Sequence, residues 1–280
     1  VTEQTRPPFL RRKLGAKLRR LREQAGLTIE EAAPRLDKTK SALHRMETGE
    51  TKADVHFVRS LMDIYDHYDP DLVKEARKAL KPPWFRAFRI KDLGYVDIET
   101  EAAQVQECIL ASIPGLLQTK AYMQALFRDQ GRLTESEAAS HTEVRLIRQR
   151  RLIDEDRPLR LTAVIYEAAL HREFGDCDVM SKQLRHLVRM SQLSTVTLQV
   201  LPLRSGARCA LEGAFILVGF PDPEDPELLY VEYASGSMHI ENPREVQEAR
   251  IVFDQLRTDA LSPAGSVALI ERLITELYGP

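Results

Sequence analysis

The chain has 280 residues, 43% of them hydrophobic, and is nearly neutral, with 40 Lys and Arg against 42 Asp and Glu. That length exceeds what one small helical module needs and permits two separate cores. No continuous apolar run reaches membrane-spanning length, and the amino end, VTEQTRPPFLRRK, carries no hydrophobic signal-peptide core. Cys108, Cys177 and Cys209 are odd in number and widely spaced, which fits reduced core thiols and excludes a C-x-x-C zinc site. A cytoplasmic protein is expected. The near-zero total hides an asymmetry: through Ile90 there are 20 Lys and Arg against 13 Asp and Glu, leaving 20 against 29 for the remainder, so a head of +7 precedes a body of −9. A basic head suits a polyanion, because Lys and Arg that neutralise phosphates release counterions.

In chain order, Leu14, Leu18 and Leu21 repeat at helical spacing, and Gly26 is placed to stop that helix. Its other face is Lys13, Lys17, Arg19 and Arg20. Thr28 followed by Glu31 forms a capping box, so a second helix begins near Ile29, with Ile29, Ala32, Ala33 and Leu36 as its apolar stripe. Pro34 lies inside this helix and predicts a bend or a shortened helix. Asp37-Lys38 makes the turn, Asp tolerating the left-handed conformation, and Thr39 caps a third helix whose inward face is Ala42, Leu43 and Met46. Lys40, Ser41, His44 and Arg45 are left facing outward. Further helices are expected over Asp54–Asp66 and Pro70–Leu80. Two short helices crossing tightly, the second with a polar outer edge, have the geometry of a helix-turn-helix whose second helix enters the DNA major groove.

Leu27, Thr28, Glu30, Glu31 and Ala33, then Thr39, Ser41, Arg45, Glu47 and Gly49, resemble the pattern of Cro and xenobiotic-response-element (XRE) repressor domains. Ile29 stands where that family often has a glutamine contact. The resemblance implies that Arg22 and Glu47 form a structural ion pair, since a fixed carboxylate facing phosphates would repel them. The DNA-facing candidates are Lys38, Lys40, Ser41, His44 and Arg45, with Thr39, Thr48, Thr51 and Lys52 for phosphates. Double-stranded DNA is the implied partner, bound by a homodimer on a two-fold site.

The consecutive prolines of Lys81-Pro82-Pro83 mark a boundary, giving a helix-turn-helix domain over 1–81, a linker over 82–92 and a second domain over 93–280. Trp84, Phe85 and Phe88 fit a clasp between head and body, or the wall of an effector site. The body alternates strands (Ala102–Leu110, Leu159–Ile165, Val196–Leu201, Ala214–Phe220, Leu228–Tyr233) with helices (Thr119–Asp129, Glu135–Asp154, Tyr166–Glu173, Val179–Leu193, Pro243–Thr258, Pro263–Tyr278). The expected fold class is α+β: an N-terminal all-α five-helix domain followed by a mixed α/β domain.

IPGLLQTKAY from Ile113, RQRRL from Arg148, EAALHREFG from Glu167, QLRHL from Gln183 and VLPLRSG from Val200 followed by GAFILVGF resemble one companion domain. It accompanies this helix-turn-helix in actinobacterial developmental regulators of the WhiJ-like kind. That resemblance implies a transcriptional regulator, often encoded beside a small acidic partner protein in a pairing compared with antitoxin and toxin. The body is therefore expected to dimerise and to sense a partner protein or a small-molecule effector; the alternative is an antitoxin-like adaptor that binds the small protein and uses DNA for autoregulation.

Pro114-Gly115 forces a turn that Leu116 and Leu117 anchor; alternatively Gln118 and Tyr122 line an effector pocket, for which Phe215 and Tyr230 are the other candidates. Arg145, Arg148, Gln149, Arg150 and Arg151 are spread around one helix, so most are expected in solvent, with one or two pairing to Glu167 or to the acidic stretch Glu232–Glu241. No H-E-x-x-H, G-x-S-x-G or phosphate loop is present, and His171 and His186 lack carboxylates at ligand spacing. No catalytic residue, cofactor or metal site is expected.

Overall fold

The computed structural model describes residues 7–90, 94–205, 213–223 and 225–279. By internal contacts the chain divides into two units, Val1–Ile98 and Glu99–Pro280. Cys209 lies outside the described residues.

The first unit holds α1 (Phe9–Gln24), α2 (Ile29–Arg35), α3 (Lys40–Glu47), α4 (Val55–Ile64) and α5 (Pro70–Ala79). The starts of α2 to α5 are marked by side chains that satisfy free amides. Thr28 Oγ1 accepts from the Glu31 amide at 3.3 Å while the Glu31 carboxylate accepts from the Thr28 amide at 2.8 Å. Thr39 accepts from Ala42, and Asp54 from Phe57. Gly26 (φ 71°) and Asp37 (φ 53°) take the left-handed conformation where the sequence required reversals. Pro34 sits outward in the last turn of α2, so its missing amide costs one bond where the helix is already ending; the expected disturbance appears as a helix of only seven residues.

Leu14, Leu18 and Leu21 of α1 pack with Ala32, Ala33, Leu36, Leu43, Val58, Leu61 and Leu72 in one core. Its tightest point was not legible in the apolar pattern. A Cβ on Gly15 would lie 2.5 Å from the carbonyl oxygen of Glu47 and 2.6 Å from that of Met46, so α1 rests directly on the backbone at the end of α3. Gly49 is doubly constrained, by φ 75° and by the Arg12 amide 2.7 Å from where its Cβ would stand. Replacing Gly15 with Ala should therefore destabilise the unit by about 1–3 kcal/mol, an overpacking cost visible as a lower melting temperature. An unchanged melt would show that the two helices can simply move apart.

After α5, residues Trp84–Phe88 form a single 3-10 turn with Phe85 buried and Trp84 edge-on to Phe85 and Phe88. Helix α6 (Gly94–Glu101), which the sequence reading did not assign, follows.

The second unit is built on a sheet that has six strands among the described residues, in the order β3-β2-β1-β4-β5-β6. Strands β1 (Gln104–Ile109), β2 (Arg160–Tyr166) and β3 (Val196–Leu201) are parallel, while β4 (Phe215–Gly219), β5 (Leu228–Tyr233) and β6 (Gly236–Ile240) continue antiparallel. Strand β6 is not among the expected strands, because a Gly-Ser start and a lone Ile give little β-branched signal. Helices α7 (Lys120–Gln130), α8 (Glu135–Gln149), α10 (Cys177–Met190), α11 (Pro243–Asp259) and α12 (Pro263–Tyr278) lie where expected. The helix expected over Tyr166–Glu173 shrinks to α9 (Ala168–His171), because Tyr166 still pairs with Leu201 in the sheet. Cys177 is exposed at the start of α10, so only Cys108 of the two described thiols is a core residue.

One face of the sheet packs on α11, through Cys108, Val164, Leu201, Phe215, Leu217, Leu229, Phe253 and Leu256. Side chains alternate across a strand, so Glu107, Ile216, Tyr230 and His239, which are successive cross-strand partners, form a row on the opposite face.

Candidate nucleic-acid interface

The recognition edge is built from the inside outward. Leu43 is fully buried and fixes α3 on the core, and Glu47, one turn further on, is locked from α1. The Glu47 carboxylate accepts two bonds from Arg22, Nε at 2.7 Å and Nη2 at 3.0 Å, and the same guanidinium donates to the Leu27 carbonyl at 2.9 Å. Both side chains are under 10% exposed. The hydrogen bond to Glu47 holds Arg22 above its ordinary pKa against the pull of burial. Burial, reinforced by the Glu47 charge, pushes the neighbouring Tyr65 hydroxyl up to about 12. One bidentate pair thus fixes three segments: α1, the turn before α2, and the end of α3.

With that face locked, Lys40, Ser41, His44 and Arg45 are all exposed, along with Lys52 beyond the helix. Thr39 is exposed but its hydroxyl is committed to capping α3. Thr48 donates its hydroxyl to the Arg45 carbonyl at 3.3 Å. Lys38 is half-buried, its ammonium 6.0 Å from the centre of the Phe57 ring. Thr51 leaves the outward-facing set altogether: its hydroxyl is buried without a hydrogen-bond partner, turned into the protein rather than toward a phosphate.

Two features of this surface were missed in the sequence. Lys40 forms an ion pair with Glu30 of α2, and that pairing is the main reason the Glu30 carboxyl titrates below its ordinary value. Both side chains are solvent-exposed, so the pair is weak and can be exchanged for phosphate. The basic face of α1 is also partly compensated within the unit, since Lys17 contacts Glu75 at 3.1 Å and Asp69 at 3.5 Å, and Arg19 contacts Glu23 at 2.8 Å. Net charge therefore overstates what α1 offers to a polyanion.

The four residues considered for an effector pocket do not converge. Tyr122 is fully buried and its hydroxyl accepts from the Ile113 amide at 3.1 Å; Gln118 donates to the Ile113 carbonyl at 2.7 Å. They close the Pro114-Gly115 turn, which the buried Leu116 and Leu117 anchor. Phe215 faces α11, edge-on to Phe253 at 6.3 Å, while Tyr230 lies on the other side of the sheet against His239 at 5.3 Å. Arg145, Arg148 and Arg151 are less solvated than expected, while Arg150 is exposed, and of the expected partners Glu232 acts on Arg145 by its charge. Arg148 pairs with Glu99, Arg151 donates to the carbonyls of Glu99, Thr100 and Ala102, and Arg145 bonds Gln118 and stacks on Phe127. Gln149 donates to the carbonyls of Gly115 and Gln118. The ends of α6 and of the Ile113–Thr119 loop leave carbonyls that need donors, and α8 and the 3-10 turn that follows it supply them.

A buried acid escaped notice too. Glu107 of β1 is 4% exposed, its Oε1 has no hydrogen-bond partner among the described residues, and burial first, then repulsion from Glu99, pushes it up to about 8 against the opposing pull of Arg148. Its position between Val105 and Ile109 on one strand face was the available signal.

Among the described residues no helix is long and apolar enough to cross a membrane. Comparison of the whole chain with curated proteins and with solved structures returned no match. A helix-turn-helix domain family matches residues 13–76, the segment that carries the Arg22–Glu47 lock and the exposed edge of α3. A second family, described as a domain of unknown function (DUF5753), matches residues 93–272, more than half of the chain. The chain belongs to the DUF5753 family and carries a helix-turn-helix domain at its amino-terminal end.

Proposed function

We propose that the protein is a sequence-specific transcriptional regulator, in which α3 reads base edges in the major groove and the second unit mediates dimerisation and receives a partner or effector. The observation that carries this reading is the outer edge of α3: Lys40, Ser41, His44 and Arg45 project into solvent from a helix whose inner side is fixed by Leu43 and Glu47. Such a surface offers donors to guanine and to phosphates while its scaffold contributes no mobile charge. Two-fold pairing of the body would set the spacing of two half-sites.

Replacing Lys40 and His44 together with Ala should remove operator preference, at roughly 1–3 kcal/mol per lost base contact, with circular dichroism and oligomeric state unchanged. A mobility-shift titration in which the double variant keeps its ranking of operator over scrambled DNA would refute the placement of the recognition helix. Lys52→Ala should behave differently, weakening all DNA alike and lowering the salt slope of binding by about one. A loss confined to one sequence would instead make Lys52 a base-reading residue.

A further inference from the structure

Of the three carboxylates in α2 and α3, two serve the fold. Glu47 is buried against Arg22, and Glu31 folds back onto Thr28 as the second half of the capping box. Glu30 does neither. It reaches across the turn to Lys40, the first residue of α3, and so joins the outward edge that Lys40 shares with Ser41, His44 and Arg45. Both side chains of the pair are more than half exposed. The hydrogen bond from Lys40 holds the Glu30 carboxyl below its ordinary range, so a full negative charge stands among the donors of this edge at neutral pH.

A carboxylate in that place costs affinity for any DNA. It repels phosphates, and Lys40 can give its charge to a phosphate only by leaving Glu30 behind unneutralised. What a repulsive group can return is discrimination. The major groove supplies the complement. At a G·C pair the acceptors N7 and O6 lie together on guanine and the amino donor N4 lies on cytosine, whereas at an A·T pair the N6 donor of adenine lies between the acceptors N7 and O4. An ammonium and a carboxylate already in contact fit the first edge end to end, Lys40 on guanine and Glu30 on the cytosine amino group. On the second edge a carboxylate at N6 would face an acceptor on either side.

We propose that Glu30 is a specificity-determining residue, which stays paired with Lys40 while the two together read one G·C pair and whose charge holds the surface off the phosphates of other sequences. The proposal rests on the reading of α3 as the recognition helix, and adds to it the base pair that is read and the acid that discriminates. Without Glu30, Lys40 would be an exposed point charge that takes a phosphate as readily as a guanine.

The test uses the full chain and sites that the wild type selects from random duplex DNA. The selected site should contain a G·C pair whose exchange for A·T weakens wild-type binding by about tenfold or more. Glu30→Gln should cut that penalty to about threefold, strengthen binding to scrambled DNA about tenfold and steepen its salt slope by about one, as Lys40 goes over to a phosphate. The cap between Thr28 and Glu31 is untouched by this change, so circular dichroism should be the same. In the Lys40→Ala background the effect of Glu30→Gln on the G·C penalty should shrink, since two residues that read as one unit are not additive. A Glu30→Gln variant with unchanged affinity and salt slope on scrambled DNA, an undiminished G·C penalty, or additive effects of the two substitutions would each overturn the role of Glu30 while leaving α3 as the recognition helix. A wild type that selects no site at all would overturn the regulator reading itself, and this proposal with it.

Discussion

Replacing Glu47 with Ala is expected to lower the stability of the first unit by about 3–5 kcal/mol, the cost typical of breaking a buried ion pair by removing one partner. Arg22 would keep its bond to the Leu27 carbonyl and a 3.6 Å contact with the half-exposed Glu23 carboxylate, but would lose the buried carboxylate that neutralises it. Trp84, the chain's one tryptophan, lies in this unit, so its fluorescence during urea unfolding reports on the affected part. The midpoint should fall and DNA binding should fail at temperatures where the wild type still binds, because the end of α3 is no longer held. Substituting both partners with apolar residues of similar volume, Arg22→Met with Glu47→Leu, should recover much of the loss, since no charge is then stranded. A Glu47→Ala variant within about 1 kcal/mol of wild type would place the pair among ordinary surface bridges and remove it as the lock of α3.

The helices which that lock joins could be read from the sequence because their signals are local, whereas the Arg22–Glu47 pair was implied by the resemblance to XRE repressor domains. A capping box, an Asp that accepts the left-handed conformation and an apolar stripe of period 3.6 each depend on residues within one or two turns, and α2 and α3 appear at their expected positions. The strands with β-branched and aromatic enrichment were legible for the same reason. What escaped was set by distant partners. Gly15 matters only because α3 ends against it, and Lys40 meets Glu30 across the turn. Arg151 is half-buried because carbonyls at the end of α6 face it, and Gln149 because those of the Pro114-Gly115 loop do, and helical spacing cannot show that. Phe215 and Tyr230 were candidates for one pocket, yet register puts Ile216, not Phe215, beside Tyr230. Shifting by one residue changes the face, and only the ladder fixes it.

Glu107 gives the second large effect, and its sign follows from the neutral form being the one the fold prefers. Its carboxyl titrates near 8 in the folded protein against an ordinary value of 4.5. The folded state therefore holds a proton that the unfolded state has released. The associated stability is fully present below about pH 4.5, declines as the pH rises toward 8 and is gone above it, a span on the order of 3–5 kcal/mol. The charges facing it, Glu99 and Arg148, are already paired with each other through Nε and Nη2 of the guanidinium, which leaves little compensation for a third charge in the cluster. Glu107→Gln keeps the shape and polarity and removes the titration. Its melting temperature should match wild type near pH 5 and exceed it at pH 9, with a flatter profile between. Superimposable profiles for the two proteins from pH 5 to 9 would mean that Glu107 reaches solvent or a partner once ionised, and the buried acid would lose its hold on the stability of the second unit.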